Sequence, residues 1–140
     1  VCIDVENGVI ARVCSDAPRD DADYLGRYVL PGMPNLHSHA FQRALAGRTE
    51  RFERPDDSFW TWREAMYREA AMVDPDRLFV IARLLYADLL EMGYTRVCEF
   101  HYVHHQANGN HYAPVGAMSD ALIAAAQEAG IGLTLLPTLY

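Results

Sequence analysis

Val29-Leu30-Pro31-Gly32-Met33-Pro34-Asn35-Leu36-His37-Ser38-His39-Ala40-Phe41-Gln42 is a short apolar run that closes in a His-x-His pair. Side chains two apart on an extended strand project to the same face, so His37 and His39 can aim two imidazoles at one point. Neutral imidazole suits a divalent transition metal. The alternative is a surface or hydrogen-bonded histidine pair. Val29 to Leu36 reads as the first apolar strand, with Pro31-Gly32 as a turn or bulge at its start, because proline has no amide to give a sheet. Gln42 is expected on the loop that follows.

Working outward, Val1 to Val13 alternates about Asn7-Gly8, a strong hairpin signal. Ser15 to Arg27 is polar and reads as a solvated loop; the spacing of Asp20, Asp21 and Asp23 matches no calcium loop. Ala44 to Pro55 is expected to be loop. Asp57-Ser58 offers an N-cap for a helix to about Met72. That helix carries Phe59, Trp60, Trp62, Met66 and Tyr67, read as packing residues. Arg63 among them has a planar fork that suits a carboxylate, and an ion pair with Glu64 or Glu69 is the competing reading.

Asp74-Pro75 starts a second helix whose stripe is Leu78, Ile81, Ala82, Leu85, Leu89 and Met92, with Gly93 as its stop. Thr95 to Phe100 is the next strand, and strand–helix–strand order is the mark of parallel pairing. It runs into His101-Tyr102-Val103-His104-His105. The three histidines read as supporting or loop residues rather than ligands, and Tyr102 as the better substrate contact. After the Asn108-Gly109-Asn110 loop, Ser119 is expected to cap a third helix that Gly130 stops. Ile131 to Pro137 is a third strand, read as apolar on both faces.

The chain has 140 residues, 51% of them hydrophobic, which excludes a disordered segment. Net charge is −7, and the 12 basic residues are all Arg. An acidic chain without a basic stripe argues against nucleic acid or an anionic membrane as partner. Cys2, Cys14 and Cys98 form no Cys-x-x-Cys, which fits a reducing, cytoplasmic setting. No apolar run reaches about 18 residues.

Leu30-Pro31-Gly32-Met33-Pro34-Asn35-Leu36-His37-Ser38-His39 resembles the first barrel strand of the amidohydrolase superfamily. Three segments narrow this to the formimidoylglutamate deiminase family: the residues around the His pair, Asp57-Ser58-Phe59-Trp60-Thr61-Trp62-Arg63, and Glu99-Phe100-His101-Tyr102-Val103-His104-His105. The resemblance implies an α/β fold: the first three strands of a (β/α)8 TIM-type barrel over 29–140, preceded over 1–28 by a hairpin from a small β-sandwich domain. A whole barrel needs roughly 200 residues or more, so the chain is expected to be the N-terminal part of a longer protein and inactive alone.

The resemblance also implies one divalent metal, zinc first and iron or manganese open, on His37 and His39. Gln42, Arg63 and Tyr102 would then meet formiminoglutamate, a small dicarboxylate, with Gln42 at the formimidoyl nitrogens or the α-carboxylate. Two histidines do not complete a catalytic zinc site, so further ligands are expected beyond Tyr140. Another deaminase of the superfamily, acting on an aminated heterocycle, and a truncated interaction module are the competing functions. A homodimer is an open possibility for the full-length protein.

Overall fold

The computed structural model describes residues 1–15, 19–49 and 58–139. The chain divides into two compact units, Val1–Pro31 and Gly32–Tyr140.

The first unit is a hairpin of β1 (Cys2–Glu6) and β2 (Val9–Cys14). Asn7 and Gly8 both take positive φ, 52° and 77°, as a two-residue turn matched to strand twist requires. Pairing runs Ile3 with Val13 and Asp4 with Arg12, then slips so that Val5 meets Ile10. The bulge leaves Ala11 as the extra residue and interrupts the alternation read from the sequence. Asp21 of the acidic loop is bonded by Arg19 at 3.0 Å, which also reaches Asp4.

The second unit begins with β3 (Met33–Ser38), followed by a 3₁₀ helix (Ala40–Leu45). Then come α1 (Phe59–Met72), α2 (Pro75–Glu91), β4 (Tyr94–His101), α3 (Ala117–Ala129) and β5 (Gly132–Pro137). The strands form one parallel sheet in the order β3-β4-β5.

Several boundaries differ from the sequence reading. The first strand of this unit starts at Met33, not Val29, because Pro31 has no N–H and the Met33 amide is the first to find a partner, the Gly93 carbonyl at 3.1 Å. Gln42 lies in the 3₁₀ helix rather than a loop. Ser58 caps α1 in a capping box with Thr61, while Asp57 and Glu50 to Pro55 lie outside the described residues. Gly116, not Ser119, precedes α3, and Ser119 is inside its first turn. Asp74 caps α2 through the Arg77 amide at 2.8 Å, with Pro75 at the first position.

The core lies between the sheet and α2 and α3. Leu78, Ala82 and Tyr86 of α2 meet Leu122, Ala125 and Ala126 of α3 and Val97 of β4. Tyr86 takes the central place that the apolar stripe did not include, and Met92, at 71% exposure, falls off it. Alternation on β4 sends Val97, Glu99 and His101 to this covered face. The opposite face is not closed by described residues: Thr134 and Leu136 of β5 are exposed.

Gly32 sets the approach of the chain to the start of β4. A Cβ at Gly32 would come within 2.9 Å of Thr95 Cβ and closer still to its γ atoms. Gly32→Ala is expected to cost about 1–3 kcal/mol by overpacking. Urea unfolding of the full-length protein checks this, and Thr95→Ala in the same chain should restore part of the loss.

Candidate metal and substrate site

The His pair owes its geometry to a bulge. β3 and β4 pair Asn35 with Val97 and Ser38 with Glu99, so three residues on one strand span two on the other. The Asn35 side chain explains the extra residue, because its Oδ1 accepts from the His37 amide at 3.0 Å and removes that amide from the ladder. A bulge re-aims side chains. Here it turns the two imidazoles together: Nε2 of His37 and Nε2 of His39 lie 3.1 Å apart, with the rings at 87°.

That separation fits a shared ion. Two imidazole nitrogens at ~2.0–2.1 Å from one tetrahedral zinc stand about 3.3 Å apart. The tautomer fits as well. A carbonyl only accepts, and Phe100 O lies 3.0 Å from His39 Nδ1, so Nδ1 carries the proton and Nε2 keeps its lone pair for a metal. His37 Nε2 then donates to His39 Nε2 and must pass that proton to its own Nδ1 to become a ligand. Among the described residues no group of three or more His, Cys, Asp or Glu side chains could hold a metal ion.

Gln42 and Tyr102 stand beside this pair. The Tyr102 ring packs edge-on to His39 at 5.3 Å and to Phe41 at 5.2 Å. Gln42 Nε2 donates to Tyr102 Oη at 2.9 Å and lies 3.6 Å from Met66 Sδ, which brings α1 to the site. Four of the five candidate residues are therefore neighbours.

Arg63 is the one set apart. Its Nε and Nη2 donate to Tyr67 Oη at 3.0 and 2.9 Å, and its guanidinium lies over the Trp60 and Tyr67 rings. Glu69, one of the two acids read as its ion-pair alternative, is paired with Arg48. Trp62 packs on the core while Trp60 is exposed, so the packing role read for both holds for Trp62 only.

The histidines at and after the end of β4 have partners of their own or are buried. His104 Nε2 donates to Thr138 O at 2.9 Å, and His105 bridges to His111. His101 points into the core at 4% exposure, and burial, with His104 adding to it, pushes its pKa down to about 4. The native state thus refuses a proton that the unfolded chain accepts below its ordinary 6.5. Stability should be full above pH 6.5 and fall as pH drops toward 4, by up to about 3 kcal/mol. Urea unfolding across that range checks it, and His101→Asn should flatten the slope.

Glu99 is absent from the residues that the sequence marks as candidates. It is 1% exposed, its Oε1 accepts from the Ala40 amide, and burial raises its pKa against the pull of that amide. Burial and the Glu99 carboxyl together raise the Tyr86 hydroxyl well above the usual phenol range. The available signal is a carboxylate on the buried face of a strand, flanked by Val97 and His101, where an unpaired acid is rare.

No protein-family model matches the chain. The crystal structure of an amidohydrolase from Brucella melitensis superposes with a TM-score of 0.73 at 53% identity, covering 76% of this chain and 24% of that one. Atrazine chlorohydrolase TrzN from Arthrobacter aurescens TC1, solved with zinc, shares the fold at a TM-score of 0.58 and 24% identity, over 76% of this chain and 23% of its own. The parallel α/β unit thus has the fold of part of these amidohydrolase structures. In sequence, the chain is similar to a curated formimidoylglutamate deiminase of Pseudomonas aeruginosa, 57% identical over 134 residues. That match takes in 96% of the chain, which spans 30% of the relative's length.

Proposed function

We propose that the whole protein is a metal-dependent hydrolase that converts N-formimino-L-glutamate and water to N-formyl-L-glutamate and ammonia. The observation that carries this reading is the convergence of His37 and His39 Nε2 beside the Gln42–Tyr102 pair, in a chain 57% identical to a formimidoylglutamate deiminase. Residues 29–140 form the first three strands of a (β/α)8 barrel, and 1–28 belong to a small β-sandwich. The strand-ending position of the pair supports this, since barrel enzymes build their sites at the C-terminal ends of strands.

His37 and His39 hold one divalent ion, zinc in the first instance, with the remaining ligands supplied by the rest of the protein. A bound divalent ion supplies a water that ionises near neutral pH. Phe100 O keeps His39 in the metal-binding tautomer. Gln42 and Tyr102 orient the formimidoyl end or the α-carboxylate by hydrogen bonding, and Arg63 receives a carboxylate at its fork. Water adds at the formimidoyl carbon, the C–N bond to the terminal nitrogen breaks, and that nitrogen leaves as ammonia. The substrate is a small, soluble dicarboxylate, and a cytoplasmic setting suits it. Among the described residues no helix is long and apolar enough to cross a membrane.

The test is stoichiometric release of ammonia and N-formylglutamate from formiminoglutamate by the full-length, zinc-loaded protein. Turnover of an aminated triazine with none of formiminoglutamate would overturn the substrate and leave the metal site standing.

A further inference from the structure

Glu99 is buried, charged by type, and outside the hydrolytic scheme, yet it touches the backbone that carries a candidate ligand. Its Oε1 accepts from the amide of Ala40, the residue directly after His39. Ser38, the residue directly before His39, is itself buried, pairs with Glu99 in register and interacts with its carboxyl group. The next residue along β4, Phe100, gives its carbonyl to His39 Nδ1. Two consecutive residues of one strand thus hold His39 from both ends, one at the ring and one at the main chain.

The rest of the Glu99 environment leaves the carboxyl incompletely paired. Its Oε2 has no partner within hydrogen-bond geometry, and neither has the neighbouring Tyr86 hydroxyl. A buried acid kept only for stability would be expected to satisfy both oxygens. One oxygen is satisfied here, and by the turn that leaves the His pair. That turn needs an outside acceptor, because the first amides of a 3₁₀ helix have none within it and His39 makes no side-chain cap.

We infer that Glu99 is a positioning residue of the metal site, which fixes the His39 turn through the Ala40 amide so that Nε2 of His39 stays aimed at Nε2 of His37. The inference rests on the metal-binding reading of the pair. It does not depend on which substrate is used.

The experiment measures zinc affinity of the full-length protein by chelator competition and the visible spectrum of its cobalt form, without substrate. Glu99→Leu removes the acceptor, Glu99→Asp withdraws it by one methylene, and Glu99→Gln keeps a carbonyl oxygen in its place. Partners of this kind are worth roughly 10–100-fold in metal affinity. Leu and Asp are expected to weaken zinc binding by that factor and to alter the cobalt spectrum, with Gln within about threefold of wild type. Should the Leu variant not fold, the Asp and Gln pair decides. Wild-type affinity in Leu or Asp overturns the inference, and so does a Gln variant as weak as the other two. A wild-type protein that binds no zinc overturns both this and the metal reading. One that binds zinc but releases no ammonia overturns only the reaction.

Discussion

Full-length protein carrying His39→Ala is expected to lose about 10³-fold or more in kcat/KM for formiminoglutamate, and to retain zinc at well below one equivalent. The substitution deletes one of two nitrogens that lie 3.1 Å apart. It also strands the Phe100 carbonyl and removes a ring packed against Phe100 and Tyr102. A metal's share of barrier lowering is several kcal/mol, and each 1.36 kcal/mol is a decade in rate. His104→Ala is the matched control: that ring is bonded to the Thr138 carbonyl, away from the pair, and its loss should change the rate only a few-fold. Initial rates of ammonia release, with metal content measured on the same samples, decide the matter. Wild-type metal content and rate in the His39→Ala variant would remove His39 from the site.

Arg63→Ala should cost about 2–5 kcal/mol in kcat/KM, expressed largely in KM. In the proposed substrate the carboxylates lie several bonds from the formimidoyl carbon, so a cation that reads them would stand apart from the histidines. Tyr67 bonds the Nε–Nη2 edge of the guanidinium, which leaves the end-on Nη1–Nη2 pair as the edge to receive a carboxylate. Arg63→Lys keeps the charge but not the fork and should fall between the two. An unchanged kcat/KM in the Ala variant, on formiminoglutamate, would end the carboxylate role.

Much of this architecture was legible in the sequence, for reasons that differ by element. The α2 helix could be read from both ends, since Asp74-Pro75 and Gly93 mark its limits by backbone chemistry and need no tertiary context. The hairpin turn followed from Asn7-Gly8 for the same reason. The His pair was legible as a motif, but not as a geometry. A regular strand would put the rings side by side, whereas the Asn35–His37 bond and its bulge bring their Nε2 atoms together. Glu99 and Phe100 were out of reach because their contacts with Ala40 and His39 cross 59 and 61 residues, and no local pattern encodes a pairing register. Met92 fell off the stripe because it is the C-cap residue outside α2, while Tyr86 follows Leu78 and Ala82 at four-residue spacing on the buried face.

The span between His39 and Phe100 also has a temporal meaning. The carbonyl that selects the tautomer of His39 is encoded 61 residues after it. Ribosomes add roughly 5–20 residues per second, so the nascent chain displays both histidines for about 3–12 s before that acceptor exists. During that interval the imidazole protons exchange freely between their ring nitrogens. The orientation of His39 seen in the structure therefore arrives with the emergence and pairing of β4, and is not a property of the motif itself.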